Sequence, residues 1–230
     1  MKACKAYRIF EEGGRSSGRL TEVAPDELDG GELLIRATYS SINYKDALAA
    51  TGTGKVVRRF PLVGGIDVAG VVDAFSDGRF EEADKVLVTG YGMGEDHDGG
   101  YSEWVRVPAD WAVPIPDGID EWEAMALGTA GLTAVLAIHK LELNGLHPEG
   151  GPVAVTGATG GVGSLATDML AGLGYEVTAI TGKKGSTATW SGSARLRCCL
   201  GTPSGRRGVL WRKHSGREPW TRSAARRSRG

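Results

Sequence analysis

Glycines gather where a predicted strand passes into a predicted helix. Residues 152–156 form a short apolar run, and residues 157–163, which follow, contain four glycines. Because glycine has no Cβ, a phosphate group can approach the backbone N–H groups at such a turn. A helix is predicted next, because apolar residues recur on one of its faces, at Leu165, Met169, Leu170 and Leu173. Strand, glycine turn and helix together predict the pyrophosphate site of a dinucleotide.

The spacing of these glycines is a weaker signal than their surroundings. Gly160, Gly161 and Gly163 follow the pattern G-G-x-G rather than G-x-G-x-x-G, so the alternative is a tight turn in another kind of α/β protein. The strand before the turn and the helix after it favour cofactor binding, because the motif needs that context. The predicted cofactor contacts at the turn are Thr159, Gly160, Gly161, Val162 and Gly163.

The next predicted strand, residues 177–180, carries the choice between NAD and NADP. An NAD-binding strand usually ends at a carboxylate that binds the ribose 2′-hydroxyl, whereas a 2′-phosphate needs hydroxyl and cationic partners. Here the strand leads into Thr181, Gly182, Lys183 and Lys184 with no carboxylate. We therefore predict NADP, with Thr181, Gly182 and Lys183 at its 2′-phosphate; the alternative is a solvated basic loop.

Composition and charge limit the kinds of protein that the chain can be. It has 230 residues, 41% of them hydrophobic, and three cysteines without metal-ligand spacing. We find no apolar run near the length that spans a bilayer and no signal peptide at the start, so a cytoplasmic protein without a membrane segment is expected. The net charge of −1 hides an asymmetry, because eleven Lys and Arg face one acidic residue, Glu218, from Gly185 onward.

The elements that must position the glycine turn divide the chain into three parts. Residues 1–125 predict a β-rich domain with one short helix at 43–50 and strands at 4–9, 32–40, 68–74, 85–88, 102–108 and 111–113. Residues 126–184 predict the start of a Rossmann-type nucleotide-binding domain, entered through a helical segment at 120–145. Residues 185–230 lack a sustained apolar period, which predicts a basic tail of low order. The predicted fold class is mixed α/β.

Four long runs carry a further signal: SSINYKDALAATGTGKVVRRFPLVGGIDVAGVV, VLVTGYGMGEDHDGGYSEWVRVPADWAVPIP, AMALGTAGLTA and VAVTGATGGVGS. They resemble the zinc-free medium-chain dehydrogenase/reductases, and most of all the NADPH-dependent acrylyl-CoA reductases, also called quinone oxidoreductase-like proteins. The resemblance covers residues 1–184 and implies a GroES-like catalytic domain followed by a Rossmann domain. In the full-length family a homodimer is expected.

The resemblance also implies roles for single residues. Zinc-dependent relatives carry Cys and Gly-His-Glu where this chain has Asn43-Tyr44 and Gly65-Ile66-Asp67, so no metal site is expected. Asn43 and Tyr44 take the place of the catalytic pair beside the nicotinamide, and Tyr44 is also a cofactor contact. The alternative for Tyr44 is a half-buried core aromatic. Thr129 takes the place of a further nicotinamide contact, and its alternative is a helix N-cap.

The implied reaction reduces an activated double bond of an enoyl thioester such as acrylyl-CoA, or a quinone. NADPH supplies the hydride, and the protein orients the two partners and stabilises the enolate charge. Lys55, Arg58 and Arg59 are candidates for contacts with coenzyme A phosphates, unless they form a solvated basic face. Glu95 and His97 lie in a loop that the resemblance puts near the cleft, although a lone His is more often a surface residue.

The basic segment departs from the family, whose members continue for about another hundred residues. When plausible codons are assigned to residues 185–199 and the reading frame is shifted by one base, the resulting peptide reads as a helix end, a Leu-Gly-Ala turn and a strand start. We therefore expect a frameshift near Gly185 or a missing C-terminal part. The alternative function is a non-catalytic protein whose basic tail binds nucleic acid or an acidic partner through its arginines and tryptophans. Out-of-frame codons rich in G and C also produce arginine, which makes that alternative the weaker one.

Overall fold

A computed structural model describes residues 3–76 and 78–183 and the strand at 196–200. The predicted mixed α/β fold class is confirmed. A β-rich region comes first in the chain, and a short parallel sheet with two helices follows it. The described strands are β1 (Cys4–Glu12), β2 (Arg15–Val23), β3 (Leu33–Tyr39), β4 (Leu62–Val63), β5 (Asp67–Phe75), β6 (Lys85–Thr89), β7 (Trp104–Val107), β8 (Val113–Pro114), β9 (Val153–Thr156), β10 (Val177–Thr181) and β11 (Leu196–Leu200). The helices are α1 (Tyr44–Thr51), α2 (Glu121–Leu143) and α3 (Gly161–Gly172).

Two antiparallel sheets build the β-rich region, with strand orders β2-β1-β4 and β7-β3-β5-β6-β8. Alternate residues of the longer sheet point into an apolar core that includes the fully buried Leu33, Ile35, Val68 and Val88. The sequence analysis missed β2 and β4. The polar strand β2 has few apolar residues, but Gly13 and Gly14 both have positive φ, as a two-residue hairpin turn requires. That glycine pair is the signal that predicts the hairpin.

The end of this region also differs from the prediction. A strand was expected at residues 111–113, but Ala109–Trp111 form one 3-10 turn and the strand is Val113–Pro114. Val113 pairs with Leu87 of β6, so the tertiary pairing rather than the local residues sets where the strand begins. The predicted short helix is confirmed as α1.

Helix α2 carries the chain from the β-rich region to the parallel sheet. Asp120 and Glu123 form a reciprocal capping box at its start, where Asp120 Oδ1 accepts from the Glu123 N–H at 2.8 Å. Gly128, with φ 47° and ψ −151°, breaks the helix in two. By length and composition α2 is apolar enough to cross a bilayer, which the sequence analysis did not anticipate. The break at Gly128 interrupts this apolar stretch, and α2 packs on β5 and α3.

The parallel sheet has the order β11-β10-β9. Helices α2 and α3 pack together against it, around Ile138, Leu170, Tyr175 and Val177. Strand β11 falls in the segment for which a basic tail of low order was predicted. It pairs in parallel with the edge of β10 that β9 does not occupy. Without β11, the backbone groups along that edge would have no strand partner. The rest of that segment, with the proposed nucleic-acid contacts, lies outside the described residues.

Candidate active site

The glycine turn between β9 and α3 has the geometry of a phosphate cradle. Gly157 has φ 62°, and its carbonyl oxygen accepts the N–H of Gly160 at 2.8 Å. A Cβ on Gly163 would collide with that same carbonyl group and approach Ala158 Cα to 2.9 Å, so only glycine fits there. Helix α3 starts at Gly161, and the first N–H groups of a helix have no partner within it. The turn therefore offers main-chain donors to an anion.

Strand β10 brings the second set of predicted cofactor residues to the same place. The Thr181 hydroxyl is buried and lies 2.9 Å from the hydroxyl of Thr159 in the glycine turn. Thr181 Oγ1 also accepts the N–H of Lys183 at 3.1 Å, while Gly182 and Lys183 themselves are exposed. The two stretches that the sequence singled out are thus held together by a pair of hydroxyls, and a lysine stands open to solvent beside them.

Asn43 and Tyr44 lie in the β-rich region at the start of α1. The Asn43 side chain donates to Asp67 Oδ2 and to Ser41 Oγ, both at 2.9 Å, and its N–H donates to Asp46 Oδ2 at 2.7 Å. Tyr44 is 80% exposed, so it is not the half-buried core aromatic that was the alternative. Asn43 is therefore fixed, whereas the Tyr44 phenol faces solvent.

Thr129 stands just after the break in α2. Its N–H and its hydroxyl donate to the two carboxylate oxygens of Asp67, at 3.1 and 2.6 Å. Because the hydroxyl acts as a donor to β5, the alternative of an N-cap acceptor does not describe Thr129. Its neighbour Ala130 touches the glycine turn, since a Cβ on Gly161 would stand 3.3 Å from Ala130 Cβ. The segment after the break therefore links the glycine turn to the residues around Asn43.

The sequence analysis missed the residue that joins these parts, Asp67. It is completely buried and accepts four hydrogen bonds, from the Ser41 hydroxyl, from Asn43 Nδ2 and twice from Thr129. The signal in the sequence was a carboxylate inside the apolar run from Val63 to Val72. A buried carboxylate must be hydrogen-bonded or paired, so its position predicts polar partners without naming them.

A second carboxylate, Asp46, lies in the first turn of α1. Oδ1 accepts the Ile66 N–H at 3.2 Å. Burial raises the pKa of Asp46, and the charge of Asp67 adds to that, while hydrogen bonds from Asn43 and Tyr101 oppose it. Burial, followed by the charge of Asp46, raises the pKa of the Tyr101 phenol. Tyr101 is therefore protonated at neutral pH, and its hydroxyl donates to the Ser41 carbonyl at 3.1 Å.

Arg58, one of the candidates for coenzyme A contacts, lies beside the loop that carries Glu95 and His97. Arg58 lies 3.5 Å from Asp96 and 3.9 Å from Glu95, and Arg59 pairs with Asp29. These two arginines of the proposed coenzyme A contacts are therefore neutralised by carboxylates of the protein. The expectation of a surface histidine is wrong for His97, because its side chain is 14% exposed and packs edge-on against Trp111 at 4.8 Å.

Within the described ranges, no group of three or more His, Cys, Asp and Glu side chains is placed to hold a metal ion. The oxygens of Asp67 are instead occupied by uncharged donors of the protein.

Comparison with known proteins agrees with this geometry. Residues 29–117 match the alcohol dehydrogenase GroES-like domain. The acrylyl-CoA reductase AcuI of Ruegeria pomeroyi is 51% identical over 173 residues, which are 75% of this chain and 52% of AcuI. YhfP of Bacillus subtilis, classed with the quinone oxidoreductases, is 51% identical over 162 residues, 70% of this chain and 49% of YhfP.

Solved structures show the same relationship. The YhdH oxidoreductase of Salmonella enterica, in complex with NADP, superimposes with a TM-score of 0.81 at 42% identity, over 84% of this chain and 60% of YhdH. YhfP of Bacillus subtilis with NAD bound superimposes with a TM-score of 0.82 at 42% identity, over 86% of this chain and 61% of YhfP. The chain spans about half the length of the curated relatives that it matches. Over the part that it shares with them, it belongs to the medium-chain dehydrogenase/reductases, in the group of the acrylyl-CoA reductases and quinone oxidoreductase-like proteins.

Proposed function

We propose that this chain carries the site of an NADPH-dependent reductase that acts, without zinc, on the activated C=C bond of an enoyl thioester or on a quinone. The observation that carries the proposal is the glycine turn with its hydroxyl pair. Gly163 leaves no room for a Cβ, and Thr159 and Thr181 meet at 2.9 Å next to an exposed lysine. A reaction that uses NADPH also fits the cytoplasmic location expected from the sequence.

Each part of the site has a distinct task in this proposal. The N–H groups at the start of α3 receive the pyrophosphate, as helix N-termini do for anions. Asn43 and Thr129, both fixed by hydrogen bonds to Asp67, line the nicotinamide. The exposed Tyr44 phenol donates a hydrogen bond or a proton to the substrate. When bound, the reduced nicotinamide supplies a hydride, so the protein needs only to orient the partners and stabilise negative charge.

Lys183 favours the 2′-phosphate of NADPH over the 2′-hydroxyl of NADH. A charge pair at 4 Å contributes about 4 kcal/mol at an effective dielectric near 20, before desolvation is subtracted. Because Lys183 is exposed, solvent screens much of this attraction. We expect roughly a tenfold preference for NADPH, which corresponds to about 1.4 kcal/mol.

The exposed face of the parallel sheet limits the activity that we expect. Parallel sheets are normally covered on both faces, whereas Ala154 and Thr156 of β9 are exposed. We therefore expect weak NADPH binding and little turnover from the 230-residue chain. Acrylyl-CoA and a quinone, each assayed by NADPH oxidation, separate the two substrate classes if turnover is measurable.

The test is a fluorescence titration of the purified chain with NADPH and NADH. Weak saturable binding with NADPH preferred supports the proposal, and Lys183→Glu then removes the preference, whereas Lys140→Glu on the exposed side of α2 leaves it intact. Absence of NADPH binding by a chain that circular dichroism shows to be folded refutes the cofactor assignment. Submicromolar affinity would contradict the expectation of a weakened site.

A further inference from the structure

The break in α2 creates a new helix start inside the protein. Gly128 adopts a positive φ that most residues avoid, and the helix resumes at Thr129. A Cβ on Gly128 would stand 2.9 Å from Asp67 Oδ2 and 3.0 Å from Ser41 Oγ. Glycine at this position therefore lets the helix start approach Asp67 closely enough for hydrogen bonds.

Asp67 caps this helix start from another part of the chain. Its two oxygens accept both the N–H and the hydroxyl of Thr129, 62 residues away. The partial positive charge of a helix N-terminus stabilises a carboxylate there. Oδ2 also accepts from Asn43 at 2.9 Å and from Ser41, on the loop before α1. One carboxylate thus binds both the loop before α1 and the helix start at Thr129, which lie far apart in the sequence.

Burial of the Asp67 carboxylate costs free energy, because the charged group loses its hydration. All four donors to Asp67 are uncharged, so no cation offsets the loss of hydration. Buried charged groups can often be replaced by apolar residues of similar volume without loss of stability. Stability alone is therefore a weak reason for a carboxylate at this position, and the need to fix several donors at defined distances is a stronger one.

We propose that Asp67 is a positioning residue that sets the separation of Asn43 and Thr129, and thereby the place where the nicotinamide binds. The inference rests on the function proposed above, since it needs these two residues to contact the nicotinamide. It predicts that a substitution of Asp67 weakens binding of the nicotinamide and leaves binding of the rest of the cofactor unchanged, because the donors to Asp67 are Ser41, Asn43 and Thr129, none of which belongs to the glycine turn.

Two ligands separate these effects. NADPH contains the nicotinamide, and 2′-phospho-ADP-ribose has the same adenosine, pyrophosphate and 2′-phosphate without it. We expect Asp67→Asn to lower the affinity for NADPH about tenfold and to change the affinity for 2′-phospho-ADP-ribose less than twofold. Asparagine has nearly the same shape as aspartate, but its amide nitrogen is itself a donor and would face the donors that Asp67 accepts. NMR titration measures both affinities in the millimolar range, and the Thr129 amide proton should move upfield when it loses a charged acceptor.

Asp98→Asn is the matched control. Asp98 is also a buried carboxylate, and it accepts the N–H groups of Val63 and Asp29 within the β-rich region. It should lower the stability without changing the ratio of the two affinities. If Asp67→Asn does not fold, Ser41→Ala, which removes one donor to Asp67, should give the same selective loss at about twofold to threefold.

The outcomes are distinct. A selective loss of NADPH affinity supports the positioning role. Equal losses for both ligands, or no loss for either, overturn it and leave Asp67 as a structural residue. A wild-type chain that binds 2′-phospho-ADP-ribose as tightly as NADPH also overturns it, because there is then no nicotinamide contact to position. A wild-type chain that binds neither ligand refutes the proposed function itself.

Discussion

The β-rich region buries its apolar side chains more completely than the parallel sheet and its helices do. In the former, the longer sheet encloses a core in which Leu33, Ile35 and Val88 are inaccessible to solvent. In the latter, α2 and α3 pack on one side, while Ala154 and Thr156 of β9 are exposed and so are apolar residues of α2, among them Leu132 and Leu136. The proposed site draws on both regions, so its catalytic half rests on a closed core and its cofactor half on a partly covered sheet.

The largest effect should come from truncation of a buried leucine in the closed core, and a buried leucine in α3 provides the comparison. Leu33→Ala removes a wholly buried side chain from the closed core and should lower the free energy of unfolding by about 2–5 kcal/mol. Leu170→Ala in α3 should be less damaging, at about 2 kcal/mol, because the apolar side chains of α2 are partly exposed and this core is less completely enclosed. Urea unfolding followed by circular dichroism measures both. Equal losses would remove the contrast between the two regions.

A smaller effect should follow from a side chain placed in the glycine turn. Gly163→Val pushes against the Gly157 carbonyl group and should lower stability by about 1–3 kcal/mol, as overpacking does. Hydrogen exchange should rise in residues 153–181 and remain unchanged in the β-rich region if the two regions are separable. Gly172→Ala, at a position with free space for a Cβ, is the control and should stabilise α3 by roughly 0.5–1 kcal/mol. Increased exchange throughout the chain would mean that the two regions unfold together.

The smallest predicted effect is a dependence on pH within the β-rich region. The pKa of Asp46 is raised above its ordinary value of 3.8 when the chain folds, chiefly by burial. The folded state thus keeps this proton to higher pH than the unfolded state does. The stability contributed by Asp46 should therefore be largest below pH 3.8 and fall as the pH rises through the folded-state pKa.

Urea unfolding of the wild type and of Asp46→Asn over a series of pH values measures this dependence. The stability difference between the two should shift in favour of the wild type as the pH falls. A difference that is constant with pH would show that Asp46 titrates in the folded chain as it does in the unfolded one.

Prediction from the sequence worked where the signal was local. The glycine turn, the strand before it and the helix after it are encoded within a few residues each, and the structure confirms the strand and the helix. Prediction failed for β2, whose polar residues give no strand pattern, and for β4, whose two residues pair with β1 more than fifty positions earlier in the chain. Such pairings depend on a partner strand that is remote in sequence.

The amino-acid sequence by itself was enough to predict a dinucleotide site, because the pattern of a glycine turn between a strand and a helix, followed by a lysine instead of an acid, lies within about thirty consecutive residues. Only the tertiary structure decided that Asp67 joins Asn43 to Thr129. Asn43 and Thr129 are 24 and 62 positions away from Asp67 in the sequence. They meet because β3, which leads into the loop before α1, pairs with β5, and because Gly128 breaks α2 where the Thr129 N–H reaches that carboxylate. Hydrogen bonds act only near 3 Å, so no pattern along the chain reveals them before the fold brings the atoms together.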